Sequence, residues 1–430
     1  MFVRSKIKIF YVVIAIVTLG VGAIGYMKLY PKAEVKLQAD GTPERPSAFS
    51  KSVLAQALYN LGQSEQLPTE VQLPSSDAKG GVQTAILQYA FDPELQQYAE
   101  GIFKSYNPDY GALVAIDAET GRLLSMVSYT HSSQKKVLGH LALRATFPSA
   151  SVFKVVTAAA AIAEKKYSSD TVISFNGANH KLYKKSVLQD RITRWTRYMS
   201  LKEAFAKSVN PVFGKIGAYA VGAESLRKYA DRFGFNRKIA SDLPIQNGAA
   251  LIQNDPWSLA EAASGFTRDN TMSPLQGALI AAAVANGGVM MEPYAIESVH
   301  TPDGTQLYQS NKKIMDVSVD PKTAREIREL MQETVSHGTS KKSFKGFFRG
   351  GMSFVEVGGK TGTLTGFDPF GKYDWFVGYG ISGSRKIAIA ALTISEKYWK
   401  VKSSYVARKM IEQYFKASRL KSQVAELRHP

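Results

Sequence analysis

From residue 151 to 165 the chain runs Ser-Val-Phe-Lys and then almost wholly Ala, Val and Ile, closing on Glu164-Lys165. Ala is the strongest helix former, so this stretch predicts a helix. A helix apolar on every side has no face to give to water and must be enclosed by other elements. Its small residues let those neighbours come close. Any fold of this chain is therefore built around residues 151–165, and Lys154 is carried into the interior with them.

The flanking segments supply candidate layers. Residues 92–106 show helical spacing of Leu95, Tyr98, Ile102 and Phe103. Residues 112–116 and 123–127, joined by a turn at 117–121, predict a β-hairpin. A helical segment spans 201–207 and ends at Ser208-Val209-Asn210-Pro211. Another spans 273–288, opened by Ser273-Pro274 and closed by Asn286-Gly287-Gly288. Strands over 355–365, 374–379 and 387–394 follow, joined by turns at 368–371 and 382–384, and a last helix covers 403–415. The sum is α+β: an antiparallel sheet flanked by helices, with a mainly helical subdomain.

The N-terminus sets location. Arg4, Lys6 and Lys8 precede an uncharged, mostly apolar run over 9–27. Crossing a bilayer takes roughly 20 such residues, and a cleaved signal only about 7–15. No Ala-x-Ala-like site follows, and Tyr11, Tyr26 and Tyr30 sit near the ends as interfacial anchors do. The expectation is a single-pass anchor in the cytoplasmic membrane, with a removed signal peptide as the alternative. Both export the rest, because the positive end stays inside. The expected organisation is tail and anchor over 1–30, a polar Pro-broken stalk over 31–81, a catalytic domain over 82–416 and a basic tail over 417–430.

With 54 Lys and Arg against 36 Asp and Glu, the chain has a formal charge of +18 and favours anionic neighbours. No nucleic-acid module accompanies that charge, so nucleic acid is not the expected partner. There is no cysteine, which removes thiolate metal sites and cysteine nucleophiles. The six histidines show no metal-ligand spacing, and neither metal nor cofactor is expected.

Three short patterns carry chemistry. In Ser151-Val152-Phe153-Lys154, helical spacing sets the Lys154 ammonium beside the Ser151 hydroxyl. Serine is a poor nucleophile until a base takes its proton. Lys154 becomes that base if burial and a nearby cation lower its pKa. The same spacing recurs at Ser5, Ser76, Ser132, Ser133, Ser225, Ser310 and Ser418, but only Ser151 follows a proline turn and opens an apolar helix. In Ser208-Val209-Asn210, the hydroxyl suits proton relay and the amide suits substrate, although alone the pattern is equally a helix C-cap. In Lys360-Thr361-Gly362-Thr363, an edge strand sends Lys360 back toward Ser208, turns the Thr361 and Thr363 hydroxyls to a cleft, and lets another backbone approach at Gly362.

Together, in this order, the three patterns resemble the penicillin-binding protein transpeptidase domain. The resemblance extends over about 82–416, through Phe233-Gly234-Phe235, Asp242-Leu243-Pro244, Ser273-Pro274-Leu275-Gln276, His337-Gly338-Thr339 and Asp374-Trp375-Phe376-Val377-Gly378. It departs at Gly265-Phe266-Thr267, where the family often has Gly-Gln-Gly, and in a short N-terminal segment, which leaves subclass and pathway open. It implies a peptidoglycan D,D-transpeptidase without cofactor. Ser151 would form an acyl-enzyme from a D-Ala-D-Ala stem peptide and pass it to the amine of a second stem. Lys154, Ser208 and Lys360 would handle protons and charge. Asn210, Thr361, Gly362 and Thr363 would bind substrate, and the Ser151 and Thr363 amides would form the oxyanion hole. β-Lactams would be covalent inhibitors, and other wall-synthesis proteins candidate partners.

Two further readings stand beside this one. The first is a D,D-carboxypeptidase or class D-like β-lactamase. No Glu-x-x-Leu-Asn-like segment follows Asn210, and Ser-x-Asn departs from the class D Ser-x-Val, while a lysine-carbamate route stays open. The second is a β-lactam sensor or a non-catalytic wall scaffold, against which all three patterns are complete.

Overall fold

The computed structural model describes residues 49–59, 65–75, 81–131, 139–189 and 191–428. In chain order the elements that matter begin with helix α1 (Lys51–Ala57) and strands β1 (Glu70–Pro74) and β2 (Val82–Tyr89). Helix α2 (Pro93–Tyr106), strands β3 (Tyr110–Asp117) and β4 (Leu123–Thr130) and the apolar helix α3 (Lys154–Lys165) follow. Next come the short helices α4 (Leu201–Ala206) and α5 (Asn210–Lys215), helix α6 (Pro274–Ala285), and strands β5 (Ile296–His300) and β6 (Gln306–Gln309). The chain closes with strands β7 (Glu356–Phe367), β8 (Phe370–Ser382) and β9 (Arg385–Ser395) and helix α7 (Ser403–Arg428).

Strand alternation organises the main sheet, whose five antiparallel strands run β7-β8-β9-β3-β4. In β3, Leu113 and Ala115 face a layer made by α2 and α7, with Phe103, Met410 and Ile411. Ala112, Val114 and Ile116 face the opposite layer, with Leu275, Leu279 and Ala282 of α6. Two apolar faces demand two helical layers. All twelve residues of α6 are buried. Its packing is close: a Cβ added at Gly277 would lie 3.1 Å from Ala390 Cβ and from Val377 Cγ2.

Helix α3 lies in the same core, with nine of its residues from Lys154 to Ile162 buried. Other helices pack around it, among them Gly222–Arg232 and Pro321–Ser336, as a stripe-free Ala/Val helix requires. The α+β class, the antiparallel sheet and the helical second part match the expectation from sequence.

The polar stalk reading of 31–81 is corrected at its C-terminal end. Residues Glu70–Pro74 pair antiparallel with Val82–Tyr89, and β1-β2-β5-β6 form a second sheet. Leu54, Leu58 and Leu73 are buried in the main core. Pro68 precedes this edge strand and Pro74 is its last residue, and neither breaks it, since an edge residue has no ladder partner on one side. The expected basic tail over 417–430 is also helical in backbone, because α7 continues to Arg428. The expected anchor at 9–27 and the stalk over 31–48 lie outside the described residues. Among the described residues, no helix is long and apolar enough to cross a membrane.

Candidate active site

Ser151 sits in a single 3₁₀ turn, Ala150–Phe153, that runs directly into α3. The turn is entered through Ala150 at φ 48°, a left-handed conformation that costs an L-residue energy. Two contacts hold it. Trp375 Nε1 donates to the Pro148 carbonyl at 2.9 Å, tying the turn to β8. Gly265, at φ +65°, backs against it so closely that a Cβ there would lie 1.9 Å from the Ala150 carbonyl oxygen. The serine hydroxyl is thus presented from a strained, braced turn.

Lys154 Nζ donates to Ser151 Oγ at 2.8 Å, to Asn210 Oδ1 at 2.8 Å and to the Ser264 carbonyl. The side chain is fully buried, over the ring of Phe213. Burial, and then the positive charge of Lys360, push its pKa well below the ordinary lysine value. Both causes anticipated from the sequence are present. The Ser264 carbonyl is a partner the sequence could not announce, because any residue supplies a carbonyl.

Ser208-Val209-Asn210 does follow the end of a helix, as the sequence suggested, and it also opens the next one. Helix α4 stops at Ala206, Ser208 takes φ 54°, and Asn210 opens α5 with Pro211 at the second helical position. Proline fixes the backbone for a new helix start, which the reading of 208–211 as the end of the 201–207 helix had not used. The joint sends Asn210 toward Lys154 and Ser208 toward the edge strand.

That edge strand is β7. Lys360 Nζ donates to Ser208 Oγ at 3.0 Å and to the Thr361 carbonyl at 2.9 Å. Burial lowers its pKa to about 7. The Thr361 carbonyl therefore points away from β8, and by strand alternation the 361 and 363 backbone groups share that free edge. Thr361 is part-exposed and Thr363 exposed. Thr361 Oγ1 is 2.5 Å from Thr339 Oγ1, a neighbour whose role spacing did not reveal. A Cβ at Gly362 would lie 3.2 Å from the Ser149 carbonyl oxygen and 3.3 Å from Ser151 N, so the strand and the serine turn meet at this glycine.

Ser151, Ser208, Asn210, Thr361 and Thr363 line one cleft of about 800 Å³. Its outer wall includes Phe266, Thr339, Trp399, Lys402 and Tyr405, and His180 stands at the rim. Asp374 is buried and anchored by Lys402 at 3.1 Å and by the Ser403 amide at 2.8 Å. Among the described residues no cluster of His, Asp or Glu suits a metal ion. A nucleophile, a lysine whose charged form is disfavoured and hydroxyl donors around one cleft suit acyl transfer at a carbonyl carbon.

Comparison with known proteins agrees. The penicillin binding protein transpeptidase domain model matches residues 111–414. Peptidoglycan D,D-transpeptidase PbpA of Mycobacterium tuberculosis is 29% identical over 355 residues, covering 74% of this chain and 68% of that protein. Stage V sporulation protein D of Bacillus subtilis is 27% identical over 275 residues, covering 60% of this chain and 40% of that protein. The crystal structure of M. tuberculosis PBPA superposes with TM-score 0.63 at 26% identity, over 76% of this chain and 80% of that one. The same protein as a penicillin G acyl-enzyme complex gives TM-score 0.60 at 26% identity, over 78% and 81%. On the strength of that match across most of its length, the chain belongs to the penicillin-binding protein transpeptidase domain family.

Proposed function

We propose that this protein is a peptidoglycan D,D-transpeptidase that works through a Ser151 acyl-enzyme. The observation that carries the reading is the 2.8 Å contact between the fully buried Lys154 Nζ and the Oγ of Ser151, which opens on the cleft. Burial and the charge of Lys360 disfavour the Lys154 ammonium, and the amine left when it gives up a proton can take the serine proton. Support also comes from the relatives, one named a D,D-transpeptidase and one determined as a penicillin G acyl-enzyme.

Lys154 takes the Ser151 proton while Oγ attacks the carbonyl of the terminal D-Ala-D-Ala bond. The Ser151 and Thr363 amides receive the oxyanion. The C–N bond breaks, and the leaving nitrogen gains its proton through Ser208 from the lysine pair. Thr361 and Thr363 hold the terminal carboxylate, with Thr339 fixing the Thr361 hydroxyl, and Asn210 holds the peptide amide. An amine of a second stem then attacks the ester, and its proton returns by the same route to restore the Ser151 hydroxyl.

We place the catalytic unit at 82–416 with 49–75 packed on it, and a single-pass anchor at 9–27 holding it outside the cytoplasmic membrane, where other wall-synthesis proteins are its candidate partners. Intact-mass spectrometry after penicillin tests the chemistry: one adduct, mapped to the peptide containing Ser151 and absent from Ser151→Ala, is expected. An adduct elsewhere, or rapid turnover of nitrocefin, rejects it. Sedimentation with membranes after high-salt washing, lost on removal of residues 1–30, tests the anchor.

A further inference from the structure

Between the paired strands Val172–Phe175 and Arg197–Ser200 the chain makes a long excursion beside the cleft. Over residues 180–198 it carries Lys181, Lys184, Lys185, Arg191, Arg194 and Arg197 against one acid, Asp190. All six cations are exposed, and among the described residues none has a carboxylate within ion-pairing distance. Interleaved with them are Ile192 (76% exposed), Trp195 (73%) and Tyr198 (59%). Large apolar side chains held in water beside unpaired charge mark an interaction surface.

The surface is built, not loose. Asn176 Nδ2 donates to the Arg191 carbonyl at 3.0 Å and its Oδ1 accepts from Thr196 Oγ1 at 2.9 Å. Thr196 Oγ1 also accepts from the Thr193 amide at 2.8 Å, fixing the turn that carries Trp195. The Arg194 guanidinium lies 4.8 Å from the Trp195 ring centre. In the hairpin, Ile173 and Phe175 pack inward, while Val172 and Tyr198 share the outward face. A rigid Trp and Tyr offer flat apolar faces at little entropic cost.

We propose that this finger is an exosite for the glycan polymer that bears the reacting peptides, its rings stacking on sugar faces and its cations meeting carboxylates along the strand. Continuity selects this partner. The Asn179 carbonyl accepts the Asn210 amide of the site itself, at 2.6 Å, and His180 lines the cleft. The base of the finger thus adjoins the cleft, so one polymer carrying its own peptide can reach both, which suits it better than a lipid surface. The inference rests on the transpeptidase reading.

The test uses the full chain in detergent micelles and purified peptidoglycan sacculi. Wild-type protein is expected to cosediment at low salt and to be released by soluble uncross-linked glycan strands. In Trp195→Ala/Arg194→Glu, affinity for sacculi falls at least about fivefold, the loss expected for anchor residues of this type. Penicillin acylation of the same variant, by a ligand too small to span cleft and finger, stays near the wild-type rate and reports that the fold is intact. Unchanged sacculus binding by the variant overturns the proposal. Release by phosphatidylglycerol mixed micelles but not by glycan strands also overturns it, in favour of a lipid surface. A wild-type protein that takes no penicillin at Ser151 instead sinks the transpeptidase reading, which sedimentation does not address.

Discussion

Lys154 and Lys360 are both fully buried, and among the described residues neither ammonium has a carboxylate partner: each is held only by neutral oxygens. Burial disfavours the charged form of each, and the charge of Lys360 further disfavours that of Lys154. Both ammonium groups therefore give up their protons more readily than an exposed lysine does.

Acylation by penicillin should follow a bell in pH. The rate rises as Lys154, with its strongly lowered pKa, loses its proton, and falls as Lys360 loses its own near pH 7. Lys360→Arg, which cannot titrate, should remove the descending limb while leaving acylation weakened. A limb at the same pH in that variant assigns the fall to another group.

Lys360→Met should unfold at a higher temperature than the wild type while losing acylation, because it removes a buried ammonium. The folded pKa of about 7 lies below the ordinary lysine value of 10.5, so the unfolded chain binds more protons between these values. Wild-type stability from this group rises with pH across that window. The advantage of the variant should be largest below pH 7 and shrink toward pH 10.5. Calorimetry at several pH values reads it, and a constant difference contradicts the cause given.

Thr361→Val removes a hydroxyl paired with Thr339 at 2.5 Å. Turnover of donors ending in a free carboxylate should drop about tenfold, the effect of one hydrogen bond to a charged group. Donors whose terminal carboxylate is replaced by an amide should lose much less. Equal losses on both would show that the hydroxyl does not read the carboxylate.

Gly265→Ala places a methyl where the Ala150 carbonyl already stands, on a backbone at φ +65°. The Ser151 turn must shift. A stability loss of about 1–3 kcal/mol, the range for overpacking a tight site, is expected along with slower acylation. Wild-type acylation kinetics in this variant would mean that the turn does not depend on its glycine brace.

The sequence alone determined the main elements and which residues are candidates for the chemistry. Residues 151–165 have no polar face and 110–117 alternate between two apolar faces, so burial and layering follow from local pattern. A nucleophile, an i+3 lysine and the Lys360-Thr361-Gly362-Thr363 strand are likewise local, and a resemblance across the chain ordered them. What surrounds them was decided by tertiary structure. The Ser264 carbonyl on Lys154, the Thr339 hydroxyl on Thr361 and the Trp375 tether to Pro148 join positions far apart in the chain, through groups that many residue types supply. The helix joint at Ser208 needed φ 54°, and β1 needed an edge to pair with, neither of which periodicity encodes. Local sequence sets propensity and pattern, whereas the pKa values of the two lysines arise only when the fold takes water away from them.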